Sequence, residues 1–174
     1  LFKRLGNLIS KSVYIYIYRK VVTGCNAKLF SFARHKSFTA TKSFSDPGFS
    51  IIDAVIDKKA QKDYVLVLKD NTRPNRNLKV AFAKNPLGPF QQVSEPFSPY
   101  LREGPAVLKV KNQWLIYFDS YGSKSYEAVS TKDFKVFEKI NDKISVPEGH
   151  KHGTIFRASN KDLKNLLRDE AKKK

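Results

Sequence analysis

The chain has no methionine, one cysteine and one tryptophan in 174 residues. With Cys25 alone, no intrachain disulfide can form. Cys25 reads as a small packed residue, because no acid–base partner can be placed beside it to make it a nucleophile. Methionine is missing even at position 1, so the sequence reads as a trimmed product, a translation from a non-ATG start or a piece of a longer frame. No apolar run reaches the ~20 residues that a membrane-spanning helix needs. The start, Leu1-Phe2-Lys3-Arg4, lacks the continuous apolar stretch of a signal peptide. Localisation is left open. Zinc-finger spacing, an RNP-like aromatic motif and a basic recognition helix are also lacking, which argues against a specific nucleic-acid reader.

Negative charge is scarce. Asp and Glu number 16 against 33 Lys and Arg, a formal charge of +17. Much of the excess sits at the ends, at Lys3, Arg4 and Lys11 and then at Lys161, Lys164, Arg168 and Lys172 to Lys174. Such charge favours polyanions non-specifically and raises solubility. Phe and Tyr are plentiful, at 13 and 8, and the length suits one domain with a packed core.

What is present is a repeat. Ile52-Asp53-Ala54, Glu103-Gly104-Pro105 and His152-Gly153-Thr154 recur 50 and 49 positions apart, and each opens a β-like run. A period near 50 with several strands per unit is the signature of propeller blades. The inner strands of a propeller converge on a central channel, so Asp53, Glu103 and His152 are expected to face one another there. Residues 13–18, Val-Tyr-Ile-Tyr-Ile-Tyr, are a strong strand signal in the first unit. Further strands are expected at 28–34, 49–57, 63–69, 78–83, 91–95, 102–110, 113–119, 126–130 and 136–140. The third unit begins at Lys151 and stops after Ala158. From Asn160, a plausible N-cap, leucines recur at helical spacing. The expected organisation is an N-terminal extension over 1–12, an all-β partial propeller of about three blades over 13–158, and a basic, helical tail over 159–174. Uncovered strand edges would then favour self-association.

The phrases Phe44-Ser-Asp-Pro-Gly-Phe-Ser-Ile-Ile-Asp-Ala54, Arg102-Glu-Gly-Pro-Ala-Val-Leu-Lys109, Gln113-Trp-Leu-Ile-Tyr-Phe-Asp119 and His150-Lys-His-Gly-Thr-Ile155 resemble glycoside hydrolase family 43. The likeness is to its arabinofuranosidase- and xylosidase-like members and runs from about residue 26 to 158. It implies a five-bladed propeller, often secreted or periplasmic, that inverts at arabinose- or xylose-containing glycans. It implies Glu103 as general acid and Asp53 as the aspartate that orients the acid and tunes its pKa. His152 matches a histidine at the channel centre that in several members coordinates water or a metal ion, which makes it a candidate substrate contact and metal ligand, with calcium the candidate ion and no cofactor required. The general-base aspartate of the first blade has no counterpart, so the chain resembles the C-terminal three-fifths of the fold and is expected to be weakly active or inactive. Asp46 and Asp119 are the first substitutes for the base.

Inverting hydrolysis needs a protonated carboxyl on the leaving oxygen and an ionised one to activate water. Tyr121, at the end of its strand, is a candidate sugar contact. Arg102 points to the opposite face from Glu103, so another cation would have to pair that acid. Trp114 and Tyr117 suit packing between sheets better than sugar platforms. Asp57, Asp63 and Asp70 read as surface acids. Two other functions stay open: a non-catalytic carbohydrate-binding remnant, and a basic polyanion-binding protein.

Overall fold

The computed structural model describes residues 13–18, 45–146, 149 and 151–171. The strands expected at 28–34 and after His35, together with Cys25 and His150, lie outside the described residues. Among the described residues the architecture is mostly β, with one short 3-10 turn at Asn141–Lys143 and one helix, α1, Asn160–Ala171. No helix of the described residues is long and apolar enough to cross a membrane.

The first sheet is antiparallel and orders β2 (Ile51–Ala60), β3 (Asp63–Asp70) and β4 (Leu78–Ala83). The second orders β5 (Glu103–Val110), β6 (Gln113–Ser120), β7 (Ser125–Thr131) and β8 (Glu138–Lys139). Of the expected strand at 91–95, Gln91 pairs with Phe82, and the Ser94 N–H donates to the Val80 carbonyl at 2.8 Å. Both central strands are rich in β-branched and aromatic residues, which suit a pleated surface covered on both sides. In β3, Val65, Leu66, Val67 and Leu68 are all fully buried.

Side chains alternate across a strand, and the cores follow that period. Val65 and Val67, with Leu78 and Val80, pack against Trp114, Ile116, Phe118, Val129 and Phe134 of the second sheet and its loop. Leu66 and Leu68 face the other way, toward Ala81, Ala83 and Phe90. On the far side of the second sheet, Tyr117 and Ala128 pack with Ile140 and Ile155. Trp114 is thus core: its ring lies 4.8 Å from that of Phe134.

Strand β1 (Val13–Tyr18) is extended, as its sequence demands, but it does not belong to the first sheet. It pairs antiparallel with β9 (Gly153–Ala158), Val13 opposite Ala158 and Tyr18 opposite Gly153. The assignment of residues 13–18 to the first unit is therefore corrected: strand propensity is local, whereas the partner is set by the path of the chain between the two strands. Asp57 is also corrected, since it falls inside β2 and is half-buried.

Candidate functional site

Each recurring phrase is a kink at the start of a strand. Asp53, Gly104 and His152 all have left-handed backbone, with φ of 51°, 57° and 43°. In β2 the pairing with β3 slips between Ile52 and Val55, and in β5 the pairing with β6 slips between Glu103 and Ala106. Such bulges re-aim side chains, and left-handed residues other than glycine store strain that the surroundings must hold in place. The three phrases thus share a left-handed kink, at the aligned residue in Asp53 and His152 and one residue later, at Gly104, in the second.

These kinks bring three sequence-predicted residues together. One donor atom each from Asp53, Glu103 and His152 lie within 4.8 Å of one another. The Asp53 carboxylate Oδ2 accepts from the Gly104 backbone N–H at 3.1 Å, which ties β2 to β5. His152 donates from Nε2 to Glu103 Oε1 at 2.9 Å. The Gly153 N–H donates to the Tyr126 hydroxyl at 2.6 Å, anchoring the start of β9 on β7.

Lys69, which the sequence reading passed over, completes the cluster. It ends the apolar run of β3, its residue only 2 % exposed, and its ammonium lies 2.7 Å from Glu103 Oε2. The same ammonium sits 4.9 Å from the centre of the Tyr121 ring, a cation–π distance. Arg102 is occupied elsewhere, pairing with Glu127 at 2.5 Å. The available signal for Lys69 was a lysine that directly continues the apolar run Val65 to Leu68, a strand buried on both faces.

Electrostatics follow from these contacts. The hydrogen bond from His152, reinforced by Lys69, holds the Glu103 carboxyl down at about 2 against the opposing effect of burial. The His152 imidazole is raised in turn, mainly by Glu103 and further by the charges of Asp53 and Asp119. A carboxyl held at about 2 is ionised at neutral pH, the reverse of the protonated state a general acid needs.

Asp119 stands directly across the β5–β6 ladder from Glu103 and is 1 % exposed. Burial, then the charge of Glu103, raises its pKa. Its Oδ2, like the Tyr121 hydroxyl, is buried with no hydrogen-bond partner among the described residues. Asp46 is different: exposed, it accepts from the Gly48 N–H at 3.2 Å within a turn. Asp63 and Asp70, read as surface acids, are corrected with Asp57: both are half-buried and ion-paired, Asp63 with Lys59 and Lys84 and Asp70 with Lys79.

The raised Asp119 pKa gives a stability prediction. A carboxyl whose folded pKa exceeds its unfolded one costs stability above the folded value and costs nothing once both states are protonated. Asp119→Asn is therefore expected to raise the melting temperature at pH 7, with the gain vanishing on acidification. A gain independent of pH would trace to packing instead.

Calcium takes 6–8 oxygen ligands, typically. Asp53, Glu103 and His152 offer two carboxylates and one imidazole nitrogen, and the ammonium of Lys69 already sits on Glu103. That donor set does not fit calcium.

A family model described as "Probable glycosyl hydrolase domain" matches residues 23–164. No curated protein and no solved structure matches the chain.

Proposed function

We propose, for a chain that belongs to the family described as "Probable glycosyl hydrolase domain", that the Asp53–Glu103–His152 centre binds a sugar unit of an arabinose- or xylose-containing glycan and turns it over weakly. The architecture this reading assumes is a partial five-bladed propeller like that of glycoside hydrolase family 43. The first sheet, the second sheet and the β1–β9 pair would be its successive blades.

One observation carries the weak-turnover reading: the Glu103 carboxylate is clamped between Lys69 and His152. Clamped, it is a strong acceptor for sugar hydroxyls, since charge-assisted hydrogen bonds are the stronger kind. To act as an acid it would have to leave the lysine and take a proton from a pKa of about 2, which opposes catalysis near neutral pH. Tyr121 and the Asp53 carboxylate would contact the same sugar.

A second reading, a competent inverting hydrolase, has its own support. Glu103 and Asp119 are two carboxyls pushed in opposite directions, and such pairs mark acid–base assignments. Its difficulty is that Asp119 is buried.

The test pairs calorimetric titration of an arabinofuranosyl-substituted xylo-oligosaccharide with hydrolysis of aryl arabinofuranosides and xylosides. Binding is expected, weakened at least tenfold in Glu103→Gln, with turnover well below the ~1 s⁻¹ at the low end for enzymes. Turnover at or above that rate would favour the second reading. Loss of binding to every such glycan would remove both.

A further inference from the structure

We propose that Lys69 is the resident cation of this centre, a positioning residue whose ammonium fills the place that a divalent ion would otherwise take beside Asp53, Glu103 and His152. The inference goes beyond the glycan reading and does not depend on it.

Three observations carry it. First, the three ligand-type side chains converge as they would around an ion, with donor atoms within 4.8 Å of one another. Second, the ammonium is already in bonding contact with that cluster, 2.7 Å from Glu103 Oε2, and it is almost wholly withdrawn from solvent. A buried lysine is costly unless paired and hydrogen-bonded, and here the pair is a member of the ligand set. Third, the Tyr121 ring covers the ammonium at 4.9 Å, so an aromatic face helps hold the charge in place. Together these make the cation part of the chain. It is delivered by β3 and needs no free ion.

The surrounding charges agree. Asp53 and Glu103 bring two carboxylates to the Lys69 ammonium, and the His152 imidazole, its pKa raised mainly by Glu103, leans to the positive side, with Lys151 and the buried Asp119 nearby. A divalent ion added to that set would meet the ammonium at close range, and like charges disfavour one another most where water is excluded. Removing the ammonium while keeping the side chain's length should therefore turn a self-neutralised cluster into an ion-binding one.

The experiment titrates Mn²⁺ and Ca²⁺ separately into the wild-type chain, Lys69→Met, Lys69→Arg and the double variant Lys69→Met/Glu103→Gln. Affinity is read by calorimetry, and proximity by Mn²⁺ broadening of the His152 ring resonances. The wild type and Lys69→Arg are expected to leave His152 unbroadened at stoichiometric Mn²⁺. Lys69→Met is expected to gain at least tenfold in Mn²⁺ affinity with His152 broadened, and the double variant to lose that gain. If Lys69→Met folds only when Mn²⁺ or Ca²⁺ is added, the inference is supported by that requirement. Three results overturn it: stoichiometric Mn²⁺ or Ca²⁺ binding at His152 in the wild type, a folded Lys69→Met that binds no tighter than the wild type, or Lys69→Arg binding as tightly as Lys69→Met. A lysine that served only to pack the strand end would leave metal affinity unmoved. Glycan binding enters none of these readouts, so failure of the glycan reading would not be mistaken for failure of this one.

Discussion

Replacing Glu103 with glutamine is expected to cost the fold about 3 kcal/mol near neutral pH. The figure follows from the drop in the Glu103 pKa from 4.5 to about 2, at about 1.4 kcal/mol per unit. The side chain is 22 % exposed, so solvent screens only part of the interaction. Glutamine keeps the shape but removes the charge, leaving the Lys69 ammonium buried without its counter-ion, and breaking one partner of a buried pair is the expensive way to lose it.

The pH dependence of that cost identifies its origin. Glu103 has a depressed folded pKa, so its contribution is present above its unfolded value of 4.5 and disappears as pH falls toward about 2. His152 has a raised folded pKa, so its share is complete below 6.5 and is lost as pH rises through the folded value. The gap between wild type and Glu103→Gln is expected to be widest between about pH 4.5 and 6.5, narrowing on both sides. Urea unfolding across pH 2.5 to 9 measures it. A gap that stays constant with pH would mean the loss is steric, and the ion cluster would then contribute little.

The grouping of Asp53, Glu103 and His152 was legible because a repeat in sequence reports a repeat in backbone. Equal spacing put each residue at or beside a left-handed kink near the start of a strand: Asp53 and His152 are themselves left-handed, and Glu103 precedes the left-handed Gly104. Lys69 and Asp119 were harder for one reason common to both. Each ends a run of apolar residues in a central strand, Tyr-Val-Leu-Val-Leu before one and Trp-Leu-Ile-Tyr-Phe before the other. Such a run signals a buried strand but does not say which neighbouring strand its last member turns a charge toward. Opposite each other in the ladder, Asp119 and Glu103 share a face, but only the register reveals it. The partner of β1 was invisible for a further reason. Pairing between two strands distant in sequence is set by the path of everything between them, which periodicity does not encode.

Gly104→Ala is expected to disturb the site more than it disturbs the fold. Gly104 has φ of +57°, and left-handed backbone costs an L-residue about 1–2 kcal/mol. A Cβ there would also lie 3.1 Å from His152 Nδ1 and 3.2 Å from Cγ, too close for ordinary contact, so the imidazole must shift. Shifting it lengthens the bond from Nε2 to Glu103, which is the largest source of the raised His152 pKa. Gly48 separates the two effects. It is also left-handed, at φ of +78°, but a Cβ there meets nothing within 4 Å. Gly48→Ala and Gly104→Ala should therefore lose similar stability from strain, about 1–2 kcal/mol each. Only Gly104→Ala should bring the His152 pKa back toward its ordinary value and let Glu103 protonate more readily. Proton NMR titration of the histidine rings, with urea unfolding alongside, decides it. If both variants titrate like the wild type, the ring is not packed against Gly104. If both lower the His152 pKa equally, the effect is global loosening. Gly104→Val adds a β-branched side chain at positive φ, a genuine outlier, and is expected to be the most damaging of the three, costing up to about 3 kcal/mol with glycan binding lost.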